Sequence, residues 1–84
     1  MMEKEDARTQ FGNDTFYKLT NENNNQIIVI TNKREFIEQE KEYWDSTLKS
    51  VNLKPTNIKE IGFDEAYDLS INNHLIIRRF YENK

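Results

Sequence analysis

The stretch Lys33-Arg34-Glu35-Phe36-Ile37-Glu38-Gln39-Glu40-Lys41-Glu42-Tyr43-Trp44-Asp45-Ser46-Thr47-Leu48-Lys49-Ser50-Val51 decides the fold. Phe36, Ile37, Tyr43, Trp44, Thr47, Leu48 and Val51 fall on one helical stripe. Asn32 precedes the stretch as an N-cap, and Glu35 three residues later completes a capping-box pattern. Asn52 and then Pro55 close it. At 1.5 Å per residue the helix should run roughly 28 Å. Trp44, midway along the stripe, is expected to be largely buried.

Two strands are read before this helix. Phe11 to Thr20 carries Phe16, Tyr17 and Leu19 among β-formers, and Gln26 to Thr31 contains the β-branched run Ile27-Ile28-Val29-Ile30. The Asn-rich segment 21–25 between them reads as a turn, so the pair should form a hairpin. Beyond the helix, Ile58, Ile61 and Phe63 fit either a strand or a helical turn. Tyr67, Leu69 and Ile71 alternate, as do Leu75 and Ile77, around Asn72-Asn73. That alternation favours a second hairpin with a two-residue turn. The competing reading is a short helix from Asp64 to Ser70, capped by Asp64. Residues 1–10 have little to bury and read as a flexible tail, with 11–84 as a single domain. The expected fold class is α+β. A small antiparallel sheet in β-β-α-β-β order carries the central amphipathic helix on one face.

The chain has 84 residues, no Cys, one His, two Gly and one Pro. Compact catalytic motifs draw on that missing set. Zero Cys removes disulfides, thiol catalysis and Cys-zinc sites together, and fits a reducing compartment. No segment approaches the ~20 apolar residues that span a bilayer. The charged N-terminus lacks the hydrophobic core of a signal peptide, so a cytoplasmic location is expected, with no membrane partner. Aromatics at 12% argue for a folded chain despite 36% hydrophobic residues. Such a short chain buries only roughly 60% of its unfolded surface, so modest stability is expected. Eleven Asn, with frequent Lys and Ile, suggest an AT-rich coding sequence of a low-GC bacterium or its phage.

His74 titrates near neutral pH but follows the Asn72-Asn73 turn, with no orienting partner visible in the sequence. A turn-flanking surface residue is the simpler reading. Glu38 and Glu42 share a helix face, and Asp64, Glu65 and Asp68 cluster. Neither set has a Glu-x-x-His motif or calcium-loop pattern beside it, so no metal is expected. Gly12 and Gly62 are isolated and outside any phosphate-loop pattern, so no cofactor is expected and the chain is read as a non-enzyme.

Net charge is −3 but uneven. Residues 35–68 carry nine acids against four bases, while residues 69–84 carry one acid against three bases. Glu35, Glu38, Glu42 and Asp45 advance by three, four and three, making an acidic ridge along the helix. Such a ridge is either a solvated face or a surface that meets a basic partner. Asp64, Glu65 and Asp68 form a second candidate partner-binding cluster. At the C-terminus, Arg78, Arg79 and Tyr81 mix charge and aromatics, as nucleic-acid-binding strands do, though the basic footprint is small.

The expected function is a non-catalytic protein-binding module, an inhibitor of a host or defence protein acting through its acidic surface on a basic partner. The tiny, acidic, cysteine-free profile resembles in type phage-encoded inhibitors and immunity or antitoxin proteins, a likeness that identifies no residue. An immunity or antitoxin role is the first alternative. A small nucleic-acid-binding protein using the C-terminal hairpin is the second. The oligomeric state is left open.

Overall fold

Strand β1 (Phe16–Asn21) is the centre of the molecule. It pairs antiparallel with β2 (Gln26–Thr31) on one side and with β3 (Thr56–Ile61) on the other. In this computed structural model residues 3–72 and the backbone of residues 77–78 are described. Phe16 and Lys18 point to one face of the sheet, Tyr17 and Leu19 to the other. Leu19 lies opposite Val29 on β2 and Ile58 on β3. The register slips between Leu19 and Thr20, leaving Ile28 as an extra residue that packs with Val29.

The Asn loop is built as expected. Asn25 takes a left-handed φ of 58°, which Asn tolerates better than most residues. Asn21 Oδ1 accepts the Asn23 backbone N–H at 3.0 Å. Asn23 then clamps a distant segment. Its amide donates to Lys54 O at 2.9 Å and accepts from Lys54 N at 3.0 Å, tying the hairpin loop to the start of β3.

Helix α2 (Arg34–Ser50) joins β2 to β3 across β1. Its end follows the sequence. Asn52 takes φ 58°, its N–H reaches Lys49 O, and Leu53 N reaches Leu48 O, which is a Schellman closure. Its start does not. The residue at the cap is Lys33, with no side-chain cap bond; Asn32 Nδ2 donates to Asp14 Oδ2 at 2.9 Å, and its Oδ1, the atom a cap would use, is buried with no hydrogen-bond partner among the described residues. Thr31 Oγ1 accepts the Lys33 N–H instead.

The apolar stripe is narrower than expected. Ile37 and Leu48 are buried, Phe36 and Trp44 are partly buried, and Tyr43, Thr47 and Val51 are exposed. Tyr43 sits edge-on to Trp44 at 5.8 Å but remains 66% exposed. Lys41 takes the place on the stripe between Ile37 and Trp44, at half-buried depth.

The expected second hairpin is absent, and with it the β-β-α-β-β order. Residues Phe63–Asn72 form helix α3. Phe63, Ala66, Tyr67 and Ser70 are its buried residues, spaced by three, one and three, and this period overrides the local alternation at Tyr67, Leu69 and Ile71. The competing helical reading of Asp64 to Ser70 fits in kind, but the helix starts one residue earlier and ends two later, and Asp64 lies in its first turn and does not cap it. Ile77–Arg78, the short β4, pairs parallel to β2. The strand order is β3-β1-β2-β4. His74 and the Asn73 to Ile76 stretch lie outside the described residues.

This order explains why both faces of the sheet are covered, where one was expected. The β2–α2–β3 crossover moves across β1 in one direction, and the β3–α3–β4 crossover returns in the other. Crossovers that keep a single hand while reversing direction must use opposite faces. One face holds Leu19, Val29 and Ile37, with Tyr17, Ile28, Phe36, Trp44 and Ile58 around them. The other holds Phe16, Ile30, Ile61, Phe63, Ala66 and Tyr67, together with Ala7 and Phe11.

Ala7 and Phe11 belong to helix α1 (Lys4–Phe11), in the stretch expected to be a loose tail. Its buried residues are one helical turn apart, and Lys4 and Arg8 align beside them. Gly12 closes it; a Cβ there would lie 2.4 Å from Arg8 O, so the close turn needs glycine. Because Phe11 is only 5% exposed, Phe11→Ala is expected to cost about 3–5 kcal/mol, measured by denaturant unfolding. A loose tail would leave the unfolding midpoint unchanged.

Candidate functional site

The four members of the acidic ridge do not share one fate. Asp45 turns away from solvent toward the first residue of β3. Its Oδ1 accepts both the Thr56 N–H and the Thr56 hydroxyl, each at 2.7 Å. Its Oδ2 meets Lys41 Nζ at 2.9 Å, and Lys41 also donates to Thr56 O. Burial pushes the Asp45 carboxyl up, but the Lys41 ammonium and the two Thr56 donors together outweigh it and hold the pKa below the usual aspartate range. Asp45 therefore fastens α2 to β3 and leaves the ridge.

Glu35, Glu38 and Glu42 remain exposed on the outer face of α2. With Gln39 they line a shallow open depression of about 390 Å³. Arg34 pairs with Glu38 at 3.0 Å one turn away, and its guanidinium lies 5.5 Å from the centre of the Tyr17 ring. Glu35 and Glu42 have no ion-pair partner among the described residues. Tyr43, next to Glu42 in sequence, is an exposed aromatic ring on the same helix. The sequence placed Tyr43 in the core, so this part of the surface was missed. Its signal was the width of the stripe: Phe36 and Tyr43 lie well off the line through Ile37, Trp44 and Leu48.

The second acidic cluster is spoken for within the chain. Asp64 meets Arg8 at 2.8 Å and Lys4 at 3.7 Å, and Asp68 meets Lys4 at 3.0 Å. Glu65 meets Lys18 of β1 at 3.6 Å. Arg8 also stacks over Phe63 at 5.4 Å, and Lys4 lies 5.8 Å from the Tyr67 ring centre. Asp64 and Asp68 dock α1 on α3, Glu65 ties α3 to β1, and Asp64 and Glu65 sit in the first turn of α3, where the helix dipole favours them.

Arg79, Tyr81 and the side chain of Arg78 lie outside the described residues, and only the backbone of Arg78 is placed, in β4. Among the described residues no group of three or more His, Cys, Asp and Glu converges as a metal site would. No helix among them is long and apolar enough to cross a membrane.

The Asp45 network makes a pH prediction. A carboxyl whose folded pKa is depressed stabilises the fold above its unfolded value, about 3.9, and that contribution is lost as pH falls through the folded value. Asp45→Ala should cost about 1.5–3 kcal/mol at neutral pH, since the lost bonds are to a charged group. The gap between wild type and variant should then close as pH falls below about 4. A gap independent of pH would show that the carboxylate charge plays no part. No family model matches the chain, and no curated protein and no solved structure matches it.

Proposed function

We propose that the chain is a non-catalytic protein-binding module whose contact surface is the outer face of α2. It acts as a small inhibitor of a protein with a basic surface, such as a site that grips nucleic acid. An immunity or antitoxin role would use the same face in the same way.

One observation carries this reading. Of the acids clustered in the middle of the sequence, the fold neutralises Asp45, Asp64, Glu65 and Asp68 with its own cations. It leaves Glu35 and Glu42 exposed with no such partner among the described residues, one before and one after Glu38 along the helix. Side chains three and four apart on a helix are about 5–6 Å apart at Cβ, so this face presents a line of negative charge. Exposed Tyr43 beside it supplies the aromatic area that charged rims alone lack. A row of carboxylates can occupy a basic groove and exclude its ligand with no chemistry of its own.

Charge on the rim of an interface acts mainly on the association rate. Raising salt from 0.1 M to 1 M shortens the screening length from ~10 Å to ~3 Å, so association should slow. Glu35→Gln with Glu42→Gln should slow it as well, with helix content unchanged, because Gln and Glu have similar helix propensity. Affinity capture from the native host, run in parallel with wild type and the double variant, supplies the partner and the comparison. Equal capture by both proteins, or recovery of nucleic acid alone, would overturn the reading.

A further inference from the structure

Strand β3 is the last strand on its side of the sheet among the described residues. Antiparallel ladders alternate, so a residue points both its N–H and its C=O either inward or outward. Thr56 gives its N–H to Asp45 and its C=O to Lys41, so its backbone groups point outward. Those of Ile58 and Glu60 follow by alternation, while Asn57, Lys59 and Ile61 face β1. Lys41 and Asp45 thus do at Thr56 what a neighbouring strand would do: one donor and one acceptor close both outward groups.

We propose that the Lys41–Asp45 pair is an edge guard that keeps β3 from pairing antiparallel with the β3 strand of a second copy. A two-fold pairing that continues the sheet must centre on one residue. Centred on Lys59 it uses only Ile58 and Glu60, but sets Lys59 directly against its own copy. Centred on Glu60 it sets Glu60 against its own copy. Like charges directly opposite are destabilising. Centred on Ile58, it stacks Ile58 on Ile58 and sets Thr56 against Glu60 and Asn57 against Lys59, with no like charges opposed. Centred on Asn57, it also opposes no like charges. Both charge-tolerated registers need the outward groups of Thr56, and those are the groups that α2 occupies. Exposed edge strands are templates for pairing, and blocking one is a recurrent protection. The inference does not depend on the outer face of α2, since Lys41 and Asp45 lie on its β3 side.

The test is the mass in solution of the full chain, by sedimentation equilibrium. Wild type should be a monomer across the concentration range. Lys41→Met with Asp45→Ala should show a doubling of mass at high concentration, with new hydrogen-exchange protection at Ile58 and Glu60. Adding Glu60→Pro should restore the monomer, because that N–H points outward and proline there costs no bond to β1. If the double variant fails to fold by circular dichroism, Lys41→Met alone decides, since it frees the Thr56 carbonyl and should give a weaker, concentration-dependent dimer. A monomeric folded variant, a dimer that ignores Glu60→Pro, or a wild type already paired through β3 would overturn the proposal.

Discussion

Everything in this molecule is arranged around a strand that must be apolar on both faces. β1 lies between β2 and β3, and neither Phe16 on one face nor Leu19 on the other has any solvent exposure. Burying a Leu or Phe side chain contributes about 1.5–3 kcal/mol, a large share of the stability of so short a chain. Two faces need two covers, and α2 alone can supply only one. The requirement reaches both ends of the sequence. It recruits α3 from what looked like strand, and α1 from what looked like tail.

The double cover also sorts the charges. Helices lying on the Phe16 face bring Lys4, Arg8 and Lys18 to Asp64, Glu65 and Asp68. Cations that were distant in sequence thus meet the acids of α3 across the packed layer. On the other face, α2 lies close enough to β3 for Asp45 and Lys41 to bond the backbone of Thr56. What is left over is set by geometry. The outer face of α2 points away from the other described elements, and Glu35 and Glu42 on it keep their charge for solvent or for a partner.

Much of this was legible in the residues. The β1–β2 hairpin, its Asn loop, the long helix and its Asn52 stop each follow from local chemistry that nothing in the tertiary structure opposes. The failures share one cause, which is that a second layer was not visible locally. At residues 63–72 two periods coexist, and only a layer waiting for Phe63, Ala66 and Tyr67 selects the helical one. Ala7 and Phe11 carry a one-turn spacing too short to weigh by itself. Asn32 is an excellent cap in isolation, yet its amide nitrogen bonds Asp14 eighteen residues away and its oxygen caps nothing. At the candidate site, Glu35, Glu38 and Glu42 were readable as exposed. Asp45 was not separable from them, because its partner Thr56 lies across a loop.

The most direct test of the two-faced packing is a map of short proton–proton distances by nuclear Overhauser spectroscopy. The account predicts contacts of the Phe16 ring with Phe63, and of the Leu19 methyls with the groups clustered around Ile37 and Val29, with no contact shared between the two sets. Cross-peaks from Phe16 to Ile37 or Trp44, or none from Phe16 to Phe63, would place all the helices on one side and contradict it.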